Sequence, residues 1–307
     1  MLTDLAPDLA CLPVSISNVY LAGTRDSWVL IDAGVVGYTE RIAQAAATRF
    51  GSDSKPRAIV LTHGHYDHVG CALELARRWN VPVFAHALEF PWLTGKADYP
   101  PKDPTVGGAM AFLSRFFPSR TVNLAEVLQE LPAGGEVPGL PGWVALHTPG
   151  HAPGHVCFWR ASDRTLIAGD VVATANLDSW RGIISQAKQV SRPPSPFTYD
   201  WDQAHESVRK IAALQPFILA CGHGAPMAGP DDEDVAGQLD AFSQTFAPPP
   251  RGRYVATPAK TDRDGIVYEP PVPPDKLPKL AAGVVAGVFL LAGVVYRKQG
   301  RKAIMRK

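Results

Sequence analysis

The chain is poor in cysteine. Its four cysteines are scattered through 307 residues and form no C-x-x-C pair. Neither a disulfide framework nor a cysteine-rich zinc module is therefore indicated, and reduced thiols in a cytoplasm fit best. The first residues, MLTDLAPDLACLPVS, also lack the basic region and the apolar run of a secretory signal peptide. We therefore expect the body of the protein to be cytoplasmic.

Positive charge is scarce in most of the chain. The whole sequence has a net charge of +1, but residues 275–307 hold eight Lys or Arg against one Asp, a net +7. Residues 1–274 therefore carry about −6. An acidic body argues against nucleic-acid binding, so we expect a small-molecule substrate.

What the sequence does contain is an alternation of β-rich and helical segments. Runs such as PVSISNVYLA, SWVLIDAG and RAIVLT are typical of strands, whereas YTERIAQAAATRF and CALELARRWN have helical composition and spacing. The pattern repeats later, where HVCFWRA, RTLIAGD and FILACGHG favour strands and WDQAHESVRKIAALQP favours an amphipathic helix. An α/β fold with mixed sheet and covering helices is predicted.

The stretch LTHGHYDHVG holds four metal-type side chains within six positions: His63, His65, Asp67 and His68. It follows an apolar run, so it should lie just past a strand end, where a sheet can gather side chains from distant parts of the chain. Neutral imidazole and carboxylate together suit zinc, or less selectively manganese or iron. Few core packings require so much polarity, which favours a metal site.

This motif resembles the H-x-H-x-D-H signature of the metallo-β-lactamase superfamily. Further segments follow in the family's order over roughly residues 12–229, namely HTPGHAPGH with His151, LIAGD with Asp170 and ACGHG with His223. The resemblance implies a four-layer αββα sandwich with two metal ions, zinc first, at one sheet edge. It implies that His63, His65 and His151 hold one ion, that Asp67, His68 and His223 hold the other, and that Asp170 bridges them.

Two divalent ions about 3.5–4 Å apart can hold a shared hydroxide at neutral pH, so no Ser or Cys nucleophile is needed. We expect attack on an ester, thioester or lactone carbonyl, with Asp67 as a catalytic proton relay. The chain is similar to uncharacterised hydrolases near glyoxalase II, but the basic C-terminal helices that bind glutathione there are not evident. β-Lactam hydrolysis, an iron-dependent oxidoreductase resembling persulfide dioxygenase, and a non-catalytic scaffold stay open as alternatives.

Several other residues have weaker roles in this interpretation. Asp32 in LIDAG either orients a metal-bound imidazole or caps a turn. His155 is expected behind the ligand loop rather than in it, and Cys221 is expected to be buried and inert. Arg192 and Tyr199, with Lys188 nearby, either contact an anionic or carbonyl substrate or lie in solvated loops.

The C-terminal part changes character. We divide the chain into a catalytic domain (1–246), a proline-rich arm (247–279), an apolar helix (280–296) and a basic tail (297–307). The arm has nine prolines between positions 248 and 278, and its Asp264-Gly265 pair suggests a small hairpin between RYVAT and GIVYE.

The apolar segment LAAGVVAGVFLLAGVVY is uncharged over 17 residues and is followed by six basic residues. As a helix it would rise about 25 Å, slightly short of a hydrocarbon core of about 30 Å, and flanking Lys and Arg could close the gap. We expect it to hold a cytoplasm-facing enzyme at the membrane, either as a tail anchor or along the surface. Gly283 and Gly287 form a G-x-x-x-G step that could pair two such helices in a homodimer.

Overall fold

The N-terminal part of the chain builds a seven-stranded sheet in the computed structural model, which describes residues 1–119, 121–229 and 234–274. Neighbouring strands are antiparallel from the first to the fourth and parallel from the fourth to the seventh. In spatial and chain order they are β1 (Thr3–Ala6), β2 (Leu9–Val14), β3 (Ser17–Thr24), β4 (Ser27–Ile31), β5 (Ile59–Val60), β6 (Val83–Ala85) and β7 (Leu128–Glu130).

A second sheet has five strands in the spatial order β12-β11-β10-β9-β8. Only β10 and β11 pair in parallel, and the other neighbours are antiparallel. The strands are β8 (Trp143–His147), β9 (Val156–Arg160), β10 (Thr165–Gly169), β11 (Ile218–Cys221) and β12 (Met227–Ala228).

Helices cover the outer face of each sheet. Helices α1 and α3 pack on the first sheet through residues such as Ile42 and Leu75, and α7 and α8 pack on the second through residues such as Val208 and Leu239. The helices are α1 (Thr39–Phe50), α2 (Tyr66–Val69), α3 (Ala72–Trp79), α4 (Phe90–Leu93), α5 (Gly108–Ser114), α6 (Trp180–Ser185), α7 (Trp201–Ala212) and α8 (Val235–Thr245). Short 3-10 turns cover Ala87–Glu89 and Ser195–Phe197.

The two sheets meet through a shared apolar layer. Val29 and Ile31 of β4 lie in the same buried cluster as Phe158 of β9 and Ile167 of β10. Leu30, between the first two, belongs instead to the cluster under α1 and α3, because successive strand residues point to opposite faces. This layering confirms the predicted four-layer αββα sandwich.

One β-rich segment contains a turn that the sequence pattern does not mark. In the β-rich segment PVSISNVYLA, β2 ends at Val14 and β3 begins at Ser17, and the two pair as a hairpin. Ser15, at φ 60, makes the turn in the left-handed region. That conformation is uncommon for a non-glycine residue, and no glycine or asparagine marks the turn in the sequence.

Residues 1–272 form one compact unit, which includes most of the predicted arm. A hairpin surrounds Asp264-Gly265, but its first strand is β13 (Lys260–Asp262) rather than RYVAT, and its second is β14 (Gly265–Tyr268). Asp262 Oδ1 accepts hydrogen bonds from the backbone N–H groups of Asp264 and Gly265, which closes the turn. Arg253 and Tyr254, from RYVAT, are instead buried.

Within the described ranges, no helix has the length and apolar character needed to cross a bilayer. The predicted membrane segment, the G-x-x-x-G step and the basic tail lie outside the described residues. The four-part division of the chain stays a prediction.

Candidate metal centre and substrate cleft

The seven residues proposed as ligands lie at one end of the two sheets. Four follow β5, one follows β8, one follows β10 and one follows β11. Their ligand atoms form three overlapping groups, each within 4.8 Å and each fully buried: His63, His65 and His151; His63, His68 and Asp170; and Asp67, His68 and His223. Loops separated by up to 160 positions in sequence thus converge on one point.

Asp170 lies at the middle of this cluster. Its Oδ2 atom is 3.0 Å from Nε2 of His223, 3.4 Å from Nε2 of His151 and 3.5 Å from Nε2 of His68. Nε2 of His63 lies 4.0 Å away. One carboxylate oxygen therefore faces four imidazole nitrogens, which is the arrangement expected of a bridging ligand.

Hydrogen bonds behind the cluster fix the tautomers of two histidines. Nδ1 of His68 donates to Oδ2 of Asp32 at 2.8 Å, because a carboxylate can only accept. Thr62 donates its hydroxyl proton to the same Asp32 oxygen at 2.8 Å, so it accepts from Nδ1 of His63 at 3.0 Å. In their neutral form, both rings therefore have an Nε2 lone pair that faces the centre.

The same logic applies to the two distant histidines. Nδ1 of His223 donates to the carbonyl oxygen of Ile16 at 2.7 Å. The Thr198 hydroxyl donates to the Pro194 carbonyl at 3.1 Å and therefore accepts from Nδ1 of His151 at 3.3 Å. Four rings from three loops are thus held with Nε2 facing the centre, the position from which a neutral ring binds a cation.

His65 and Asp67 complete the cluster. Nδ1 of His65 lies 3.0 Å from Nε2 of His151, so both nitrogens point at the same position, and Nε2 of His65 lies 3.2 Å from the Tyr199 hydroxyl. Oδ2 of Asp67 is 3.5 Å from Nε2 of His223. All seven predicted side chains are therefore brought together.

Three buried atoms of the cluster have no hydrogen-bond partner among the residues that the structure describes: Nε2 of His63, Nε2 of His68 and Oδ1 of Asp170. A buried polar atom without a partner costs free energy, about 1–3 kcal/mol for each group. Bound cations would coordinate these atoms, so the donor set fits a metal centre. Nitrogen and oxygen donors without thiolate suit zinc, iron or manganese.

Burial shapes the protonation of the centre. It lowers the pKa of His65 to about 3 and holds the pKa values of His63 and His151 well below the usual range. Burial opposes ionisation of Asp170, but neighbouring histidines, His223 first, outweigh it and hold the pKa of Asp170 well below its usual range. Burial opposes protonation of His68 and His223, but Asp170 outweighs it, raising the pKa of His223 to about 8 and holding that of His68 well above its usual range. Binding of a metal would therefore displace protons from these two rings.

The weaker sequence assignments are resolved by these contacts. Asp32 orients His68 rather than only capping a turn. His155 accepts a hydrogen bond from the backbone N–H of Asp170 at 2.9 Å, behind the ligand loop. Cys221 is buried, and burial holds the pKa of its thiol well above the usual range. Arg192 forms an ion pair with Asp178 at 2.7 Å, which neutralises its charge.

Glu89 and Tyr99 are two buried residues that the sequence did not reveal. Glu89 accepts from the backbone N–H of Gly64 at 2.8 Å and from that of Gly154 at 2.6 Å, and Tyr99 also donates its hydroxyl to it. Burial raises the pKa of Glu89 to about 7 against the opposing effect of these hydrogen bonds. One carboxylate therefore connects the loops that carry His65 and His151. No local sequence motif indicates this role.

The centre opens into a cleft with two lobes that share His65, Tyr66 and Phe197. The metal lobe, about 300 Å³, is lined by five of the seven proposed ligands and has an apolar wall formed by Ile16, Met110, Phe117, Pro194 and Phe197. The outer lobe, about 360 Å³, lies between the loop 99–102 on one side and Pro118, Ser119 and Thr121 on the other. A substrate with two parts can extend from the metal centre into both lobes.

Sequence comparisons agree with this geometry. The sequence profile of the Metallo-beta-lactamase superfamily matches residues 12–223. The chain is 42% identical over 222 residues to YflN of Bacillus subtilis, a probable metallo-hydrolase, covering 71% of this chain and 84% of that protein. It is 31% identical over 145 residues to the hydroxyacylglutathione hydrolase GloC of Haemophilus influenzae, covering 47% of this chain and 60% of that one.

Solved structures show the same fold. The B3 metallo-beta-lactamase BLEG-1 superposes with a TM-score of 0.53 at 24% identity, covering 76% of this chain and 97% of that one. TTHA1623 in a di-iron-bound form superposes with a TM-score of 0.50 at 24% identity, covering 76% of this chain and 96% of that one. Similarity at this level of identity extends to the arrangement of the sheets and helices.

Proposed function

Because the chain belongs to the metallo-beta-lactamase superfamily, we propose that it is a binuclear metal-dependent hydrolase of an ester, thioester or lactone. The observation that carries the proposal is the position of Asp170 Oδ2, which faces the Nε2 atoms of four histidines whose tautomers are fixed from behind. A single mononuclear site would not need seven donors in three overlapping groups. The proposed ligands of one ion are His63, His65 and His151, those of the other are Asp67, His68 and His223, and Asp170 is shared.

Bound divalent ions would supply a nucleophilic hydroxide at neutral pH and polarise the substrate carbonyl. The chain's own residues hold the substrate and the proton. Asp67 lines the metal lobe together with Asp170 and His223, so it is the carboxylate placed to relay a proton beside the reacting atoms. Tyr66 and Phe197, at the junction of the two lobes, flank the substrate and exclude water.

The apolar wall of the metal lobe supports an acyl substrate. Met110, Phe117 and Phe197 form a surface for a hydrocarbon chain next to the ligands. The similarity to the hydroxyacylglutathione hydrolase GloC supports a thioester in particular. Zinc is the proposed metal, and the di-iron form of TTHA1623 makes iron the first alternative to test.

The test combines metal analysis with a substrate panel. We expect about two transition-metal ions per chain, and hydrolysis of an apolar acyl thioester or lactone by the zinc-loaded or iron-loaded protein. Loss of a residue that only orients a metal ligand costs about 10–100-fold in metal affinity or activity. Loss of a ligand itself in His65→Ala should therefore lower activity by at least about 100-fold. A chromogenic β-lactam and an oxygen-uptake assay with a persulfide test the other chemistries.

A matched control is His205→Ala, since His205 lies outside the cleft and bonds to the backbone of Ser243. Its metal content and turnover should stay near wild type. If His65→Ala also keeps both, the assignment of the centre is wrong.

For the segment outside the described residues, we propose attachment to a membrane through residues 280–296, with the body on the cytoplasmic side. The uncharged run and the six basic residues that follow it support this proposal. Cell fractionation of the full chain beside a chain ending at Pro278 tests it. Equal solubility of the two without detergent would exclude the attachment.

A further inference from the structure

The outer lobe contains a half-buried cation, Lys102. Most of its lining is aromatic or proline, including Tyr99, Pro100 and Tyr199. Nζ of Lys102 donates to the carbonyl oxygen of Phe117, which uses one of its three protons. Among the described residues no carboxylate lies within ion-pair distance of this amine, and burial lowers its pKa.

A second polar group in the lobe has no partner. Oγ1 of Thr121 is buried and makes no hydrogen bond with the part of the chain that the structure describes. A desolvated ammonium without a counter-charge and an unsatisfied hydroxyl are both unfavourable in an otherwise apolar cleft. An anionic group in the lobe would satisfy both, because a carboxylate accepts from each of them.

The loop that carries Lys102 is anchored on both sides by the C-terminal arm and the body. The Pro101 carbonyl accepts from the Tyr254 hydroxyl at 2.6 Å. The backbone N–H of Asp103 donates to Pro196 at 2.7 Å, and the Asp103 carboxylate accepts from the backbone N–H of Arg253. The lysine therefore projects from a fixed position, which lowers the entropy lost when an anion binds.

The position of the lobe relative to the centre decides which half of a substrate it takes. The reacting carbonyl must lie between the proposed ions, inside the metal lobe with Asp67, Asp170 and His223. An acyl chain then lies along the apolar wall of that lobe. The leaving half starts at the same carbonyl and reaches the outer lobe past His65, which lines both.

We propose that the outer lobe is a leaving-group subsite, in which Lys102, assisted by Thr121, binds a carboxylate on the thiol or alcohol half of the substrate. The inference rests on the proposed hydrolase function, in which water adds across the acyl C–S or C–O bond and releases an apolar acid and a carboxylate-bearing thiol or alcohol. A single ammonium matches one carboxylate.

The test uses two thioesters that differ only in charge: the S-phenylacetyl derivatives of 3-mercaptopropanoate and of 3-mercaptopropanamide. The wild-type protein should have a lower KM for the carboxylate thioester than for the amide thioester. Lys102→Met should raise KM for the carboxylate about tenfold and leave the amide unchanged, because a hydrogen bond to a charged group is lost only in the first case. Lys102→Arg should restore most of the preference.

Lys55→Met is the matched control for net charge. Lys55 is exposed and precedes β5, at the end opposite to the ligand loop. Lys55→Met should change KM for neither thioester. Equal effects of Lys102→Met on both thioesters, or no effect on either, would overturn the subsite.

Binding without turnover separates this inference from the proposed function. The thioether analogues of the two thioesters cannot be hydrolysed, so their Kd values report the subsite alone. The carboxylate thioether should bind wild type about tenfold more tightly than Lys102→Met. Absence of hydrolysis with that difference intact would refute only the hydrolase assignment, whereas equal Kd values would refute the subsite.

Discussion

The ligand cluster and the lining of the outer lobe, here the outer-lobe wall, are neighbouring regions built in opposite ways. In the cluster, four of the seven ligand residues lie within six positions of sequence, between His63 and His68. In the wall, Lys102 depends on contacts such as that between Tyr254 and Pro101, which are 153 positions apart. The cluster is dense in charge and hydrogen bonds, whereas the wall is mostly aromatic and proline.

This difference suggests separate roles, with the cluster responsible for metal binding and the outer-lobe wall for substrate selectivity. A metal centre constrains residue type, because only certain side chains coordinate a cation at all. A substrate wall constrains mainly shape and the position of one or two polar groups, which many sequences can supply. Changes in the cluster should therefore abolish metal binding, whereas changes in the wall should alter which substrates are accepted.

The largest effect is expected from Gly222→Ala, which disrupts the cluster without removing a ligand. A Cβ atom at this position would lie 2.0 Å from Oδ1 of Asp170 and 2.6 Å from Cε1 of His68, so the two ligands must move apart. Metal content measured by elemental analysis should fall by at least about one ion per chain. Turnover should fall with it, since loss of a residue that only orients a ligand already lowers metal affinity or activity about 10–100-fold.

Gly134→Ala is the control, because the added Cβ would meet only the flexible end of Glu136 on the surface. Normal metal content in Gly222→Ala would contradict the geometry of the shared carboxylate.

A smaller effect is expected from Asp32→Asn, which changes the support of His68. Asp32 has a φ of 58, a conformation that Asn tolerates, so the backbone should be retained. The amide cannot accept from Thr62 and His68 as the carboxylate does, and such outer partners are worth about 10–100-fold in metal affinity. Competition with a chelator measures the change, and the exposed Asp26→Asn should show none.

The smallest effect is expected from Tyr254→Phe, which alters the wall and leaves the cluster intact. It removes the hydrogen bond to Pro101, worth about 1 kcal/mol, while the ring keeps its edge contact with Tyr199 at 5.3 Å. KM for a carboxylate-bearing thioester should rise a few-fold with metal content unchanged. Loss of metal in this variant would show that the wall and the cluster are not separable.

The strand and helix patterns of the sequence predicted an α/β fold, and its resemblance to the superfamily implied the sandwich and all seven residues of the cluster. The sequence did not anticipate the hairpin at Ser15, whose left-handed turn has no glycine or asparagine. It also missed Glu89, since a single glutamate in a helical segment has no local pattern. Its importance comes only from the backbone groups of Gly64 and Gly154 that it joins.

The sequence by itself determined the kind of chemistry, because histidine and aspartate at H-x-H-x-D-H spacing favour a metal wherever the chain places them. The tertiary structure alone decided which nitrogen of each ring faces the metal, because that depends on partners such as Thr198 for His151 and Ile16 for His223. It also decided that Lys102 lies half-buried in the cleft beside the centre. Hydrogen bonds and burial are properties of neighbours in space, and those neighbours are brought together only when the two sheets pack against each other.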